Sequence, residues 1–209
     1  MNLENQCVVI TGASGNLGTA VARAFVNLGA NVVLVDRSSE HLEHAGFTDD
    51  AQHLISVTDL LDQAQVNAMV LVAGAKFGGI DVLCNIAGGF RMGEAVCETS
   101  DANWNFPFDI NARTLLHAAR AVVPHMLKQE GGKIIRVGAI SAQKGGAQIG
   151  AYAASKASVM RLTESMSAEL RKKRDQRQRR ASEHHRHPTK SQRHAQCRPL
   201  EMGLTRGAG

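Results

Sequence analysis

Tyr152 and Lys156 stand four residues apart in the stretch Tyr152-Ala153-Ala154-Ser155-Lys156, so on a helix their side chains share one face. A free tyrosine ionises near ~10 and is a poor acid or base at neutral pH. An ammonium beside it favours the phenolate and brings the proton toward the working range. A surface Tyr/Lys pair would show the same spacing. Tyr152, however, is the only tyrosine in the chain and opens a helix just after a glycine-rich loop. The pair could therefore exchange a proton with a bound molecule.

A second group of residues could hold phosphates. Val8-Val9-Ile10-Thr11-Gly12-Ala13-Ser14-Gly15-Asn16-Leu17-Gly18 is an apolar run followed by a glycine-rich turn. A helical stretch to Leu28 and a second apolar run, Val32-Val33-Leu34-Val35-Asp36, come next. Together they describe half of a dinucleotide-binding unit. The turn aims backbone N–H groups and the positive end of a helix at a pyrophosphate. Gly12 allows the tight turn, while Gly15 and Gly18 let backbone or helix come close. Asp36 lies about where an acid accepts the two hydroxyls of an adenosine ribose. An ordinary strand–turn–helix explains the glycines but not the agreement of turn, helix and acid in one register.

The elements that position these residues alternate along the chain. Strands are expected at 7–11, 31–35, 53–57, 80–84 and 133–137, the first of them continuously apolar as a strand covered on both faces should be. Helices are expected at 16–28, 39–45, 59–77, 104–128 and 150–172, with a loop of no regular period at 88–101. Asp59 suits the start of the third helix. Such alternation implies a Rossmann-like, doubly wound parallel sheet in three α/β layers, with ligands at the carboxyl ends of the strands. Residues 11–18, 36, 85–88 and 138–141 all follow strands and gather at one edge.

Length and composition fit one such domain. The 209 residues are 44% hydrophobic, ordinary for a globular protein. No apolar run approaches a membrane span, and residues 1–10 lack the form of a signal peptide. The four cysteines show no metal-ligand spacing, so reduced structural thiols and a cytoplasmic location are expected, with no metal. The net charge of +5 is unevenly spread. Residues 171–209 hold twelve Lys/Arg and three Asp/Glu, leaving a mildly acidic body with twelve bases and sixteen acids.

Over roughly residues 5–173 the sequence resembles the short-chain dehydrogenase/reductase family. Thr11-Gly12, Asn16 and Gly18 are similar to the family's cofactor turn. Asn85-Ile86-Ala87-Gly88 resembles its structural Asn-Asn-Ala-Gly segment, and Asn111 in Ile110-Asn111-Ala112 matches the asparagine of its proton relay. Tyr152 and Lys156 match its Tyr-xxx-Lys pair, the most specific of these motifs. The resemblance implies hydride transfer between NAD(P) and a carbonyl or alcohol of a small-molecule substrate. Tyr152 would exchange the proton, Lys156 would lower its pKa and bond the nicotinamide ribose, and Asn111 would pass protons to solvent. The cofactor would meet Gly12, Ser14, Gly15, Asn16, Leu17, Gly18, Asp36, Arg37, Asn85, Ala87 and Gly88. Asp36 favours NAD by repelling a 2′-phosphate, and Arg37 leaves NADP open. Family resemblance also implies a homo-oligomer, a dimer or tetramer paired through helices 104–128 and 150–172.

Three positions depart from the family pattern. Asn16 replaces the middle glycine of the turn, where its tolerance of positive φ implies a local adjustment. Ile86 replaces an asparagine. Ala139 occupies the place of the catalytic serine, and losing one positioned donor typically costs ~10²–10³ in rate. Either Ser141 substitutes, or the substrate needs no such donor. The dihydropteridine reductase branch has an alanine there and an Ala-Gly-Gly segment like Ala87-Gly88-Gly89, so a pteridine-like substrate is one candidate.

From Arg174 the composition changes to Arg, Gln and His with hardly any aliphatic side chains, a basic tail expected to be disordered. The domain is therefore placed at 1–173 and the tail at 174–209. The family's sixth strand, its nicotinamide-contacting loop and its seventh strand are not recognisable there. Compatible codons for 174–179, read one base later, give Gly-Ile-Asn-Val-Asn-Ala. Those for 182–188 give Pro-Ser-Ile-Ile-Asp-Thr-Pro, similar to the family's sixth strand and threonine loop. A frameshifted C-terminus is the reading that follows. It leaves the fifth strand as an exposed apolar edge and implies marginal stability and little turnover. Two alternatives stand beside an oxidoreductase: a non-catalytic dinucleotide-binding protein, and a Rossmann body with a nucleic-acid-binding basic arm. Counterion release would drive the latter, but no aromatics interleave the arginines for base stacking.

Overall fold

The computed structural model describes residues 3–186, with side chains described through Lys173. Described residues up to 165 form one compact unit, and those from 166 on fall to a second. The first unit is built on five strands: β1 (Cys7–Thr11), β2 (Asn31–Asp36), β3 (His53–Val57), β4 (Val82–Asn85) and β5 (Lys133–Arg136). They form one sheet in the order β3-β2-β1-β4-β5, and every pairing is parallel. This is the expected three-layer Rossmann-like sheet.

The layers follow from alternation along the strands. Val9, Val33 and Val35 face one way, into a cluster with Val66, Met69, Val70 and Ala73 of α3 (Gln63–Phe77) and with Ala118 and Val122 of α5 (Thr114–Lys128). Val8, Ile10, Val32 and Leu34 face the other way, toward Ala22 of α1 (Asn16–Asn27) and Leu42 of α2 (Ser39–His44). Side chains that alternate in direction along a strand can fill two cores only if both faces are covered. Central β1 is wholly buried, whereas β5 pairs with β4 alone among the described residues and leaves Ile135 49% exposed.

Several boundaries differ from the sequence reading, each for a local reason. α3 begins at Gln63 because Asp62, rather than Asp59, accepts the N–H groups of Ala64 and Gln65 (2.8 and 3.3 Å). Gly78, with φ +80°, closes it. The expected 104–128 helix starts earlier, as α4 (Asp101–Pro107), and reaches α5 through a π-helical turn, Phe108–Arg113. Pro107 has no N–H to give, and the widened turn follows it directly. α6 (Gly150–Arg186) runs past the expected end at 172, through a stretch of good helix formers such as Arg, Gln and Lys. The remainder of the expected disordered tail, 187–209, lies outside the described residues.

Cys7 and Cys84 are buried and unpaired. Burial, aided at Cys7 by the Asp81 charge, pushes their thiols up to about 12 and about 11, which keeps them protonated and inert. Cys97 is exposed and unpaired. No helix among the described residues is long and apolar enough to cross a membrane.

Candidate active site

The turn between β1 and α1 is shaped by two glycines. Gly12 has φ +67°, and a Cβ there would come within 2.9 Å of the Ala87 backbone. A Cβ on Gly18 would lie 2.0 Å from the Gly12 carbonyl oxygen, so the first turn of α1 can rest on the loop only with glycine at 18. Gly15 is less constrained and serves as the N-cap of α1 without any side-chain cap. Asn16 opens α1 and needs no positive φ.

Beside this turn lies a cleft of about 390 Å³. Gly12, Ser14, Gly15, Asn16, Leu17 and Gly18 form one wall, and Asp36 and Arg37 a second. Ile86, Ala87 and Gly88 of the turn after β4 complete it, with Thr58, Asp59 and Leu60. The Asp36 carboxylate is held across the mouth: Oδ2 accepts the Ser14 hydroxyl (2.6 Å) and amide (3.2 Å), and Oδ1 accepts the Arg37 amide (2.7 Å). Asn85 stays out of the lining. It is buried, and its Oδ1 accepts the Thr11 hydroxyl at 3.3 Å. Thr11 Oγ1 in turn accepts the amides of Ile86 and Ala87, both at 3.2 Å, which ties the end of β1 to the β4 turn.

The Tyr152/Lys156 face of α6 meets the cleft at Gly88. A Cβ on Gly88 would lie 3.4 Å from Lys156 Nζ and 2.8 Å from Asn111 Oδ1. Lys156 Nζ donates to the Val137 carbonyl at 3.5 Å and sits 6.0 Å from the centre of the Tyr152 ring. Burial, and secondarily the positive charge of Arg136, hold the Lys156 ammonium below the usual lysine range. Tyr152 is half-buried and packs edge-on against Phe90, with ring centres 4.8 Å apart. It lines a small cavity of about 10 Å³, room for roughly one water.

Asn111 sits in the π-helical turn and is fully engaged. Its Oδ1 accepts the Gly89 amide (3.0 Å), and its Nδ2 donates to the Gly89 carbonyl (3.0 Å) and to Ser155 Oγ (3.1 Å). Ser155 passes the link on by donating to the Tyr152 carbonyl at 2.8 Å. The side chain is thus a strut between the β4 turn and the helix that carries Tyr152. Ser141 is not part of either lining, and its buried hydroxyl has no partner.

Three contributors escaped the sequence reading. Arg136, at the end of β5, donates from Nε to Thr163 Oγ1 and adds a second positive charge near Lys156. Ser155 lies inside the quoted motif, yet its bond to Asn111 spans 44 residues and leaves no local signal. Gln148 has φ +59°, rare for a non-glycine residue, and its carbonyl accepts the Gly93 amide at 2.8 Å. That bond pins the 88–100 segment to the chain just ahead of α6.

The model of the family described as short chain dehydrogenase matches residues 6–174. Among curated relatives, an uncharacterised oxidoreductase of Staphylococcus saprophyticus is 32% identical over 176 residues, covering 82% of this chain and 75% of its own. Among solved structures, levodione reductase is similar at TM-score 0.75 and 30% identity, over 82% of this chain and 69% of that one. NAD+-bound xylitol dehydrogenase is similar at TM-score 0.75 and 27% identity, over 83% and 68% respectively.

Proposed function

The chain belongs to the short-chain dehydrogenase family and is an oxidoreductase of that type; from this premise we propose that it is NAD-dependent, acts on a carbonyl or alcohol, and uses Tyr152 as its acid/base. The observation that carries the reading is the meeting at Gly88, where the glycine-walled cleft and the Lys156 amine share one residue.

The cleft fits a dinucleotide. The turn leaves no room for a side chain at Gly18, α1 presents its uncapped N-terminus, and an acid stands at the end of β2. Residues 12–18 would hold the pyrophosphate and Asp36 the adenosine ribose. The carboxylate at this point disfavours a 2′-phosphate, which selects NAD over NADP. When bound, the cofactor supplies or accepts the hydride. Tyr152 gives the proton to the substrate oxygen during reduction and removes it during oxidation. Lys156 offsets the negative charge that develops on the tyrosine oxygen. Ala139 offers no hydrogen-bond donor, so Tyr152 alone polarises the carbonyl. Asn111 holds the tyrosine helix to the β4 turn, and the proton relay at that residue remains part of this proposal.

Nucleotide binding and turnover separate in two variants. Tyr152→Phe should keep NADH fluorescence enhancement and lose turnover, while Asp36→Ala should lose the enhancement. Unchanged turnover in Tyr152→Phe overturns the acid/base assignment. We also read residues 174–209 as the product of a shifted reading frame, supported by a family match that ends at residue 174, where the composition turns basic. Resequencing the gene across codon 173 tests this. An uninterrupted frame encoding the same segment in related genes removes the idea.

A further inference from the structure

We propose that His117 is a positioning residue for the cofactor, holding through the Leu60 carbonyl the wall on which the adenosine end of a dinucleotide lies; this rests on the dinucleotide reading of the cleft. His117 itself lies outside the lining. It sits on α5, three residues beyond Thr114, and is buried with 8% of its surface exposed. Its Nδ1 lies 2.9 Å from the Leu60 carbonyl oxygen, although the two residues are 57 apart in the chain. A carbonyl oxygen can only accept, so Nδ1 carries the hydrogen and donates it.

Leu60 belongs to the irregular connection between β3 and α3, where Thr58, Asp59, Leu60 and Leu61 all line the cleft. The Thr58 amide donates to the Asp36 carbonyl at 2.8 Å, which fixes the start of the connection beside the acid assigned to the ribose. The next bonds stay local: the Asp59 amide donates to Gln65 Oε1 and the Leu61 amide to Asp59 Oδ1, both at 2.9 Å. Two bonds reach across to α5. One is the imidazole on Leu60, and the other is Gln63 Nε2, which donates to the His117 carbonyl at 3.2 Å. His117 thus grips the connection by side chain and backbone together. Ile110 and Thr114, from the same helical run as His117, line the cleft as well. The spacing between these residues and the 58–61 wall is therefore set at His117.

That spacing matters for a flat base. Attraction between a ring and an apolar wall is short-ranged, and a gap of about 0.5–1 Å forfeits roughly a quarter to a half of it. The wall cannot hold its own place by packing alone, because a connection without strand or helix has backbone groups that need partners. The neighbours of His117 on α5, Leu115, Ala118, Ala121 and Val122, are apolar and buried. A histidine among them would cost stability if its N–H went unpaired. Paired with Leu60, it satisfies its own donor and the loop carbonyl at once. A leucine at 117 would fill the space and bond nothing.

Three variants of the full-length protein separate the bond from the packing. Leucine keeps the volume without a donor, asparagine places an amide N–H where Nδ1 stands, and glutamine carries its amide one methylene too far. NADH is titrated by fluorescence and ADP-ribose by calorimetry, since both carry the adenosine end. His117→Leu should weaken both by about twofold to tenfold, the scale of one internal hydrogen bond, at undiminished stoichiometry. His117→Asn should recover most of that loss and His117→Gln little of it. Stoichiometry counts folded sites, so a merely structural role would lower the number of sites and leave the affinity of the rest unchanged. Normal affinity in His117→Leu, or a loss that asparagine does not recover, overturns the proposal. Should His117→Leu not fold, equal affinities in His117→Asn and His117→Gln overturn it. ADP-ribose that does not bind the unaltered protein refutes the dinucleotide reading together with the proposal, whereas equal binding to the unaltered protein and His117→Leu refutes the positioning role alone.

Discussion

The dinucleotide cleft and the Tyr152 cavity adjoin each other yet are built by different means. The cleft is made of backbone: Gly12 and Gly18 let a loop, a helix and the Ala87 segment approach within distances that any Cβ would forbid. The Tyr152 cavity is made largely of side chains: Arg91, Glu94 and Asn103 come from a segment without strands and from the start of α4. A wall of backbone tolerates almost no change of residue and serves a ligand part that does not vary. A wall of side chains can be rewritten one residue at a time to suit a different substrate. Conserved chemistry and variable specificity are thereby given separate materials.

The largest expected break between the two regions is Tyr152→Phe. Turnover should fall by about 10²–10⁴, the usual worth of a positioned proton donor, with NADH affinity unchanged in a fluorescence titration. Next is Gly18→Ala, whose Cβ would meet the Gly12 carbonyl oxygen at 2.0 Å. It should destabilise the protein by about 1–3 kcal/mol, the usual cost of overpacking, and abolish NADH binding, seen by thermal melting and titration. Asn111→Ala severs the strut, leaving half-buried Gly89 and buried Ser155 without the bonds they made to it. A loss of about 1–3 kcal/mol is expected, with turnover reduced more than NADH affinity.

Arg136→Gln should act chiefly on pH dependence, beyond the loss of its bond to Thr163. The Lys156 ammonium is lowered by burial first and by Arg136 second, so removing that arginine moves its titration upward. If loss of the ammonium ends activity on the alkaline side, that limb should shift to higher pH in the variant. The effect on stability has a definite sign. Because folding lowers this value from 10.5, the unfolded chain binds more protons between the folded value and 10.5. Stability from this group rises with pH across that window and falls as pH drops through the folded value. Arg136→Gln should narrow the window from its lower end, measurable as a flatter stability profile in alkaline urea melts. The smallest effect has the opposite direction. Gly74 lies inside α3 with nothing within 4 Å of where a Cβ would stand, so Gly74→Ala should stabilise by about 0.5–1 kcal/mol.

Much of the fold could be read from the chain because its causes are local. β1 and β2 are unbroken apolar runs, and the turn between β1 and α1 announces itself through Gly12 and Gly18. The same holds for Asp36 and for the Tyr152/Lys156 pair, whose four-residue spacing fixes a shared face once a helix is granted. What escaped depends on contacts that bring distant residues together. Arg136 reaches the neighbourhood of Lys156 only because the end of β5 abuts α6, and Arg91 joins Tyr152 only once the 88–100 segment is pinned through Gln148. The choice of Asp62 over Asp59 as cap was a contest between two adjacent acids, settled by which one reaches the N–H groups of Ala64 and Gln65.

The widened helical turn at Phe108–Arg113 works as a phase adjuster for everything beyond it. Each residue in a regular helix advances about 100° around the axis. Deleting one residue from this turn would restore the ordinary winding and swing either Asn111 or the Leu115–Ala118–Val122 stripe of α5 off its target. One loop of loosened helix is therefore what allows a single rod to serve two masters, gripping Gly89 and Ser155 through Asn111 while keeping its greasy side on the sheet.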